Sequence, residues 1–161
     1  MEAILVKDQK AAAFVMEDGT FEGVYRITEK VCGDLEQVTG GRPKIIKWQG
    51  ALQPAQVYVA TLGNSEMSEA IAEEEGIELS SLCGKRECFL FQVLKNGSLL
   101  IAGSDKRGTI YGLFHISELM GVSPFVHFAD VVPAPQKEII FSEKDSMQSK
   151  EPSVKYRGFF I

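Results

Sequence analysis

Several residue types that build functional sites are scarce in this sequence of 161 residues. Its two histidines, His115 and His127, are too few for a histidine-rich metal site. Three cysteines without a paired C-x-x-C spacing predict neither a complete disulfide framework nor a zinc site. Basic residues are outnumbered by acidic ones, 17 to 22, and the net charge of -5 disfavours nucleic acid or an anionic membrane as a partner.

Long hydrophobic runs are also missing. No run approaches the roughly 20 apolar residues that span a bilayer. The opening residues, MEAILVK, lack the basic start and the long apolar stretch of a signal peptide. With 45% hydrophobic and 24% charged residues, the composition is that of a globular chain, and its length suits one domain.

The cysteines Cys32, Cys83 and Cys88 are expected to be small buried apolar residues, where free cysteine usually lies. A local bridge between Cys83 and Cys88 is the alternative.

The apolar periodicity predicts a mixed order of strands and helices. Strand 56–62 is almost continuously apolar and is expected to be buried on both faces. Asn96 and Gly97 predict a two-residue hairpin turn with positive φ at both positions. This order predicts an α+β fold, a mixed β-sheet with helices packed on it. The predicted strands are 11–16, 44–48, 56–62, 87–94, 98–102 and 137–142, and the predicted helices are 20–38, 65–75 and 106–120.

The composition changes after residue 142. Residues 143–153 are polar and charged, which predicts a linker. Residues 154–161, VKYRGFFI, predict a new apolar strand without an evident partner. We therefore expect a domain at 1–142, a linker at 143–153 and the first strand of a further domain at 154–161, as if the chain were cut there.

The loop at 103–109, GSDKRGT, is the segment with chemical promise. It leaves a predicted strand and opens a predicted helix, where backbone N–H groups and the helix dipole favour an anion, and Lys106 and Arg107 add positive charge. Its spacing matches neither a P-loop nor G-x-G-x-x-G. The interpretation we favour is helix capping by Ser104 or Asp105, with glycines that permit tight turns.

The remaining candidates are weaker. His115 lies within a predicted helix and is expected to be structural. The aromatic loop around His127 is expected to pack, although lining a ligand pocket is an alternative. No Ser/His/Asp order, metal-ligand cluster or convincing carboxylate pair appears. The residues alone thus indicate a binding or accessory domain, without metal or cofactor.

Five motifs occur together in one order along the chain. They are LIAGSDKRGTIYGL at 100–113, SE at 117–118, GVSP at 121–124, FADV at 128–131 and YRGFFI at 156–161. Together they resemble the N-terminal region of glycoside hydrolase family 115, the xylan α-1,2-glucuronidases. The resemblance extends from about Gly41 onward, and a similar strand and helix also open the hexosaminidases and the family 67 glucuronidases.

The resemblance implies an accessory α+β domain, like domain 2 of the β-hexosaminidases, placed before a (β/α)8 catalytic barrel. YRGFFI is then the first barrel strand, and the acidic active-site residues follow beyond Ile161. The parent is implied to be an enzyme that removes (4-O-methyl)glucuronic acid from xylan, whereas this fragment alone is expected to be inactive. Its implied partners are the barrel of the same chain and glucuronoxylan or aldouronic oligosaccharides, and family habit implies a periplasmic or secreted location.

Within this resemblance no residue of the chain is catalytic. Ser104, Asp105, Lys106 and Arg107 match the family motif and are the substrate-proximal candidates, with Lys106 or Arg107 meeting the uronic carboxylate. One alternative function is a free-standing carbohydrate- or anion-binding module that uses the 104–107 loop. Another is a protein-interaction domain that pairs through an exposed sheet edge.

Overall fold

The structure, a computed structural model, describes residues 1–125 and 131–158. These residues form two β-sheets and three α-helices, which confirms the predicted α+β class. The strands are β1 (Glu2–Lys7), β2 (Lys10–Ala11), β3 (Phe14–Met16), β4 (Ile45–Lys47), β5 (Val57–Thr61), β6 (Phe89–Val93), β7 (Leu99–Gly103), β8 (Glu138–Ser142) and β9 (Met147–Gln148). The helices are α1 (Glu22–Thr39), α2 (Glu66–Glu75) and α3 (Lys106–Leu119).

The larger sheet has six strands in the order β4-β3-β5-β7-β6-β9. The first four are parallel, and β6 runs antiparallel to both of its neighbours. Side chains alternate between the faces, so that Val57 and Val59 join one apolar cluster while Tyr58 and Ala60 join the other. Helices α1 and α3 cover the first face and α2 covers the second, so β5 is buried on both faces, as predicted.

The smaller sheet, β2-β1-β8, is antiparallel and contributes to the core on the α1 and α3 side. Phe141 of β8 meets Phe91 of β6 edge to face, with ring centroids 5.4 Å apart. Strand β1 was not among the predicted elements. It turns into β2 through Asp8 and Gln9, which both have positive φ, 51° and 62°.

The predicted strand 11–16 is two strands that belong to different sheets. The N–H of Ala12 donates to the carbonyl of Leu5 at 2.8 Å in the smaller sheet, whereas the N–H of Phe14 donates to Lys44 at 2.8 Å in the larger one. A continuous apolar run conceals this change of partner, because both sheets face the same core.

The prediction of positive φ at both Asn96 and Gly97 is wrong. Only Gly97 is left-handed, at φ 83°. The N–H of Leu94 donates to the carbonyl of Ser98 at 2.8 Å, which leaves a three-residue loop that ends in the left-handed glycine. The Asn96 side chain accepts from the N–H of Ser98 at 3.0 Å and fixes the longer turn.

Part of the predicted linker has regular structure. Residues Glu143–Asp145 form a 3-10 helix, and β9 pairs with β6. Ser149 then bonds to both the carbonyl and the N–H of Phe89, at 2.9 and 2.8 Å. Residues 143–149 are therefore attached to the domain, because the outer edge of β6 offers backbone groups that need partners. Residues 154–158 form no strand, 159–161 lie outside the described residues, and their assignment to a further domain stays a prediction.

The cysteines are free thiols. Cys32 and Cys88 are buried as expected, whereas Cys83 is exposed in a turn, so the expectation of burial is wrong for Cys83 and the local bridge is not formed. Burial raises the pKa of the Cys32 thiol to about 12. Among the described helices, none is long and apolar enough to cross a membrane.

Candidate functional site

The glycines of the 103–109 loop allow α3 to lie directly against the sheet. A Cβ on Gly103 would lie 2.1 Å from the backbone nitrogen of Thr109, and one on Gly108 would lie 2.0 Å from the carbonyl oxygen of Cys88. A Cβ on Gly112, one turn further, would lie 2.6 Å from Ile101. These positions exclude any larger side chain, so packing between helix and sheet accounts for the glycines of the motif.

Asp105 caps the N-terminus of α3, as the favoured interpretation predicted. One carboxylate oxygen accepts from the N–H of Gly108 at 2.8 Å, and the other accepts from the N–H of Glu87 at 3.0 Å. Ser104 is not the cap, because its hydroxyl accepts from the N–H of Cys88 at 3.0 Å and its own N–H donates to the Cys88 carbonyl at 2.8 Å. The Asp105 carboxylate thus occupies the N-terminus of α3, the position where the sequence analysis had considered a bound anion.

Lys106 and Arg107 are both exposed at the start of α3. The stem of Lys106 extends towards α1, so that a Cβ on Gly23 would lie 3.0 Å from its Cε. The guanidinium of Arg107 is 3.1 Å from a carboxylate oxygen of Glu87, although 71% of the Arg107 side chain remains exposed. The structure therefore brings the two cations to one surface, beside a carboxylate that the sequence analysis did not single out.

Glu87 is the buried charge at the centre of this site. Its side chain is 3% exposed, and its two carboxylate oxygens bind Arg107 at 3.1 Å and Arg157 at 3.0 Å. These two guanidinium groups hold the pKa of Glu87 below its ordinary value. Glu87 also has φ 56°, a left-handed conformation that the bond from its N–H to Asp105 helps to fix. The only sequence signal for it is a charged residue directly before a strongly apolar strand.

The segment after β9 is tied to the same place. Arg157 donates to the carbonyl of Val154 at 2.6 Å, while Arg86 donates from its side chain to the carbonyl of Pro152 at 2.7 Å and from its backbone to Glu151 at 3.1 Å. Residues 151–157 therefore lie beside the N-terminus of α3.

A cavity of about 440 Å³ lies between this segment and the loop. Four of its lining side chains are basic, and both acidic ones already bind partners within the protein. The site is therefore a local concentration of positive charge on an acidic protein, suited to a carboxylate-bearing ligand. Its lining residues are Arg86, Glu87, Asp105, Lys106, Arg107, Lys155 and Tyr156. Within the described ranges, no three Asp, Glu, His or Cys side chains are arranged to hold a metal ion.

The other candidates do not join this site. The His115 ring packs against Phe89 and Phe91, with centroids 5.6 and 5.0 Å away, which is a structural role as expected. His127 lies outside the described residues.

The fold is similar to part of a solved glycoside hydrolase, described as "a novel family GH115 4-O-methyl-alpha-glucuronidase, BtGH115A, with specificity for decorated arabinogalactans". The match covers 94% of this chain with a TM-score of 0.76 and 28% identity. The fold is that of a glycoside hydrolase domain. The chain spans 19% of the length of BtGH115A, so the activity of that whole protein is not thereby shown for this chain.

Two other solved structures are more distant. CpGH84D matches 87% of this chain at 13% identity and a TM-score of 0.49, and the chain covers 21% of it. A "GH138 enzyme targeting pectin rhamnogalacturonan II" matches 80% at 12% identity and a TM-score of 0.39, and the chain covers 15% of it. Similarity this low supports no argument about the present site. No protein-family model and no curated protein matches the chain.

Proposed function

We propose that this chain is the non-catalytic N-terminal accessory domain of a glycoside hydrolase that removes (4-O-methyl)glucuronic acid side chains from a glycan. The observation that carries the proposal is the structural match to BtGH115A over 94% of the chain. A catalytic (β/α)8 barrel in the same chain is its proposed partner, and the domain supports that barrel and helps to shape the substrate cleft. Glucuronoxylan and aldouronic oligosaccharides are the proposed substrates, and a periplasmic or secreted location belongs to the same proposal.

The chemistry of the site supports a non-catalytic role. Glycoside hydrolysis uses a carboxylic acid that protonates the leaving group and a second carboxylate that acts as base or nucleophile. Glu87 is unsuited to be the acid, because Arg107 and Arg157 lower its pKa and keep it ionised. Asp105 is unsuited to be the second group, because both of its oxygens accept backbone N–H bonds.

The 104–107 loop is proposed to lie near the substrate through its cations. Lys106 and Arg107 are exposed and line the cavity of about 440 Å³, where they can bind a uronic carboxylate. Ser104 and Asp105 contribute by fixing the backbone of the loop.

The first experiment is to read the coding sequence beyond Ile161 and to assay the encoded protein beside the 161-residue chain. Release of glucuronic acid from glucuronoxylan is expected for the longer protein and not for the chain alone. Decorated arabinogalactan is the second substrate, because BtGH115A is specific for that class. A stop codon after Ile161, or release by the chain alone, contradicts the proposal.

The loop is tested in the longer protein by replacing Lys106 and Arg107 with alanine. KM for a substrate that carries glucuronic acid is expected to rise. The matched control is Arg26→Ala, because Arg26 is a similarly exposed arginine paired with Glu22 on α1. Unchanged kcat and KM in the double variant would contradict a substrate-proximal loop.

A free-standing anion-binding module is the second candidate, and the basic cavity is the observation that favours it. A module is expected to bind glucuronic acid as the 161-residue chain, whereas an accessory domain alone is not, and calorimetric titration separates the two. Pairing of a protein through an edge of the larger sheet is less favoured, because its edge strands β4 and β9 have only three and two residues. The five-residue strand β8 is the longest described sheet edge.

A further inference from the structure

The larger sheet has a reversal of its connections between two neighbouring parallel strands, β3 and β5. After β3 the chain passes to α1 on one face, and after β5 it passes to α2 on the opposite face. Neighbouring parallel strands whose connections leave in opposite directions open a crevice at their carboxyl ends. Open α/β sheets bind their ligands in such a crevice.

The connections after β5 and β7 also leave on opposite faces of the sheet, but within the described residues no crevice is open at the carboxyl ends of these two strands. The hydroxyls of Thr61 and Thr109 are 2.7 Å apart, Gly103 is in direct contact with Thr109, and the N–H of Leu62 donates to the Gly103 carbonyl at 2.8 Å. The crevice between β3 and β5 is open by contrast. It holds a cavity of about 280 Å³ between the 17–21 turn and residues 59–64, close to the lower size limit of about 300 Å³ for small-molecule sites.

The polar side chains that line the crevice cavity itself are acidic or neutral, and Lys47 lines the two adjoining cavities. The Glu17 carboxylate accepts from the hydroxyl of Ser65 and from the N–H of Met67 at 3.3 Å, which holds it in place at the crevice. Asn64 lies exposed beside it, and Asp18 pairs with Lys47 at 2.7 Å. Fixed carboxylates repel phosphates and uronic acids, whereas carboxylate and amide oxygens accept hydrogen bonds from hydroxyl groups.

Aromatic side chains lie in this crevice and in the two cavities that adjoin it. Phe21 lines the cavity and is 51% exposed, and Tyr25, one turn along α1, lines the adjoining cavity and is 44% exposed. Trp48 is the single tryptophan of the chain. It is partly buried against the apolar cluster on the α2 side and lines a third cavity that also contains Glu17 and Asn64. The half-exposed ring of Phe21 next to hydroxyl acceptors suits a sugar ring, which has apolar C–H faces and a rim of hydroxyls.

We propose that the crevice between β3 and β5 binds a neutral sugar unit of a glycan, with Phe21 against the ring and Glu17 and Asn64 on its hydroxyls, while Trp48 lines the adjoining cavity. The site is separate from the basic cavity at Arg107 and shares none of its lining residues. It goes beyond the proposed accessory function. It stands or falls independently of that function, because its test needs neither a barrel nor hydrolysis.

The test uses the 161-residue chain and the fluorescence of Trp48, its single tryptophan, which lines the cavity next to the crevice and shares Glu17 and Asn64 with it. Xylotriose and galactotriose are the neutral probes, and glucuronic acid is the charged comparison. A saturable change in Trp48 fluorescence is expected with at least one neutral probe and none with glucuronic acid. Amide chemical-shift changes in an NMR titration are expected in 17–21 and 62–64.

Two variants test the contacts. Phe21→Ala and Asn64→Ala are each expected to weaken binding about tenfold, which is the effect of losing about 1.4 kcal/mol. Both side chains are exposed, and unchanged urea midpoints verify that the variants fold. The control is Phe125→Ala, which removes another exposed aromatic ring outside the crevice. The proposal is overturned if neither neutral probe gives a saturable response at millimolar concentrations, if glucuronic acid binds equally well, or if Phe125→Ala weakens binding as much.

Discussion

Replacing Gly108 by alanine tests whether the glycines of α3 are fixed by contact with the sheet. The new Cβ would lie 2.0 Å from the carbonyl oxygen of Cys88, whereas ordinary contact begins at 3.4 Å. Helix and strand must therefore separate by about 1.4 Å, the difference between these two distances. The obstructing atom is backbone and cannot rotate away, and the same carbonyl accepts the 2.8 Å bond from Ser104.

The magnitude follows from three contributions. Overpacking costs about 1–3 kcal/mol, and a rigid backbone contact belongs at the upper end of that range. Loss of the bond from Ser104 adds about 1 kcal/mol, and the better helix propensity of alanine returns about 1 kcal/mol. We therefore expect Gly108→Ala to lower the free energy of unfolding by about 3 kcal/mol, or the urea midpoint by about 1.5 M at an m value of about 2 kcal/mol/M.

The matched control is Gly33→Ala within α1. A Cβ there meets only the guanidinium of Arg42, at 3.4 Å, which is an ordinary contact with a flexible side chain. This variant is expected to raise the free energy of unfolding by about 0.5–1 kcal/mol, because alanine favours the helix. The two substitutions should therefore have opposite signs in urea titrations. Stabilisation by Gly108→Ala equal to that by Gly33→Ala would refute the reasoning.

Three further predictions concern charge, capping and thiols. Because the pKa of Glu87 is lowered in the folded state, its ion pairs stabilise the fold above the ordinary glutamate pKa of about 4.3, and this stabilisation is lost as the pH falls through the lowered value. Glu87→Gln should therefore flatten the dependence of the urea midpoint on acid pH. An unchanged pH profile would contradict the prediction. Asp105→Ala should destabilise the fold by about 1–2 kcal/mol, and Asp105→Asn by less, because asparagine also caps helices; equal effects in thermal or urea unfolding would argue against capping. A thiol reagent such as Ellman's should modify Cys83 rapidly in the native protein and Cys32 and Cys88 only after unfolding, and rapid native reaction of all three thiols would contradict the burial.

The helices could be predicted closely because their signals are local. The apolar spacing and the left-handed glycines at Gly40 and Gly76 mark the ends of α1 and α2, and Ser65 caps α2 through the N–H of Ser68 at 3.0 Å. What could not be predicted depends on partners distant in the chain. The division of 11–16 between two sheets is an example, because the residue types in that run do not indicate which strand each part pairs with.

The candidate site shows the same limit. The glycines, the capping aspartate and the two cations of the 103–109 loop were located from sequence, since a loop between strand and helix has a recognisable composition. The buried carboxylate was not, because Glu87 and Arg157 are 70 positions apart and only the fold brings them within 3.0 Å. A glutamate before a strand is far more often exposed than buried, so the sequence pattern did not indicate that Glu87 is buried.

The pairing of β1 with β8 has a consequence for the order in which the domain is completed during synthesis. Lys7 pairs with Glu138, so the second neighbour of β1 is translated 131 residues later. At a translation rate of about 5–20 residues per second, roughly 7–26 s pass before β8 is synthesised. During this time the edge of β1 that later pairs with β8 has no partner strand. The larger sheet can form its parallel strands β3, β4, β5 and β7 during that interval, whereas the smaller sheet cannot close until β8 is translated. A nascent chain stalled before β8 should therefore carry a folded α1–α3 layer and a strand edge that is still available to chaperones.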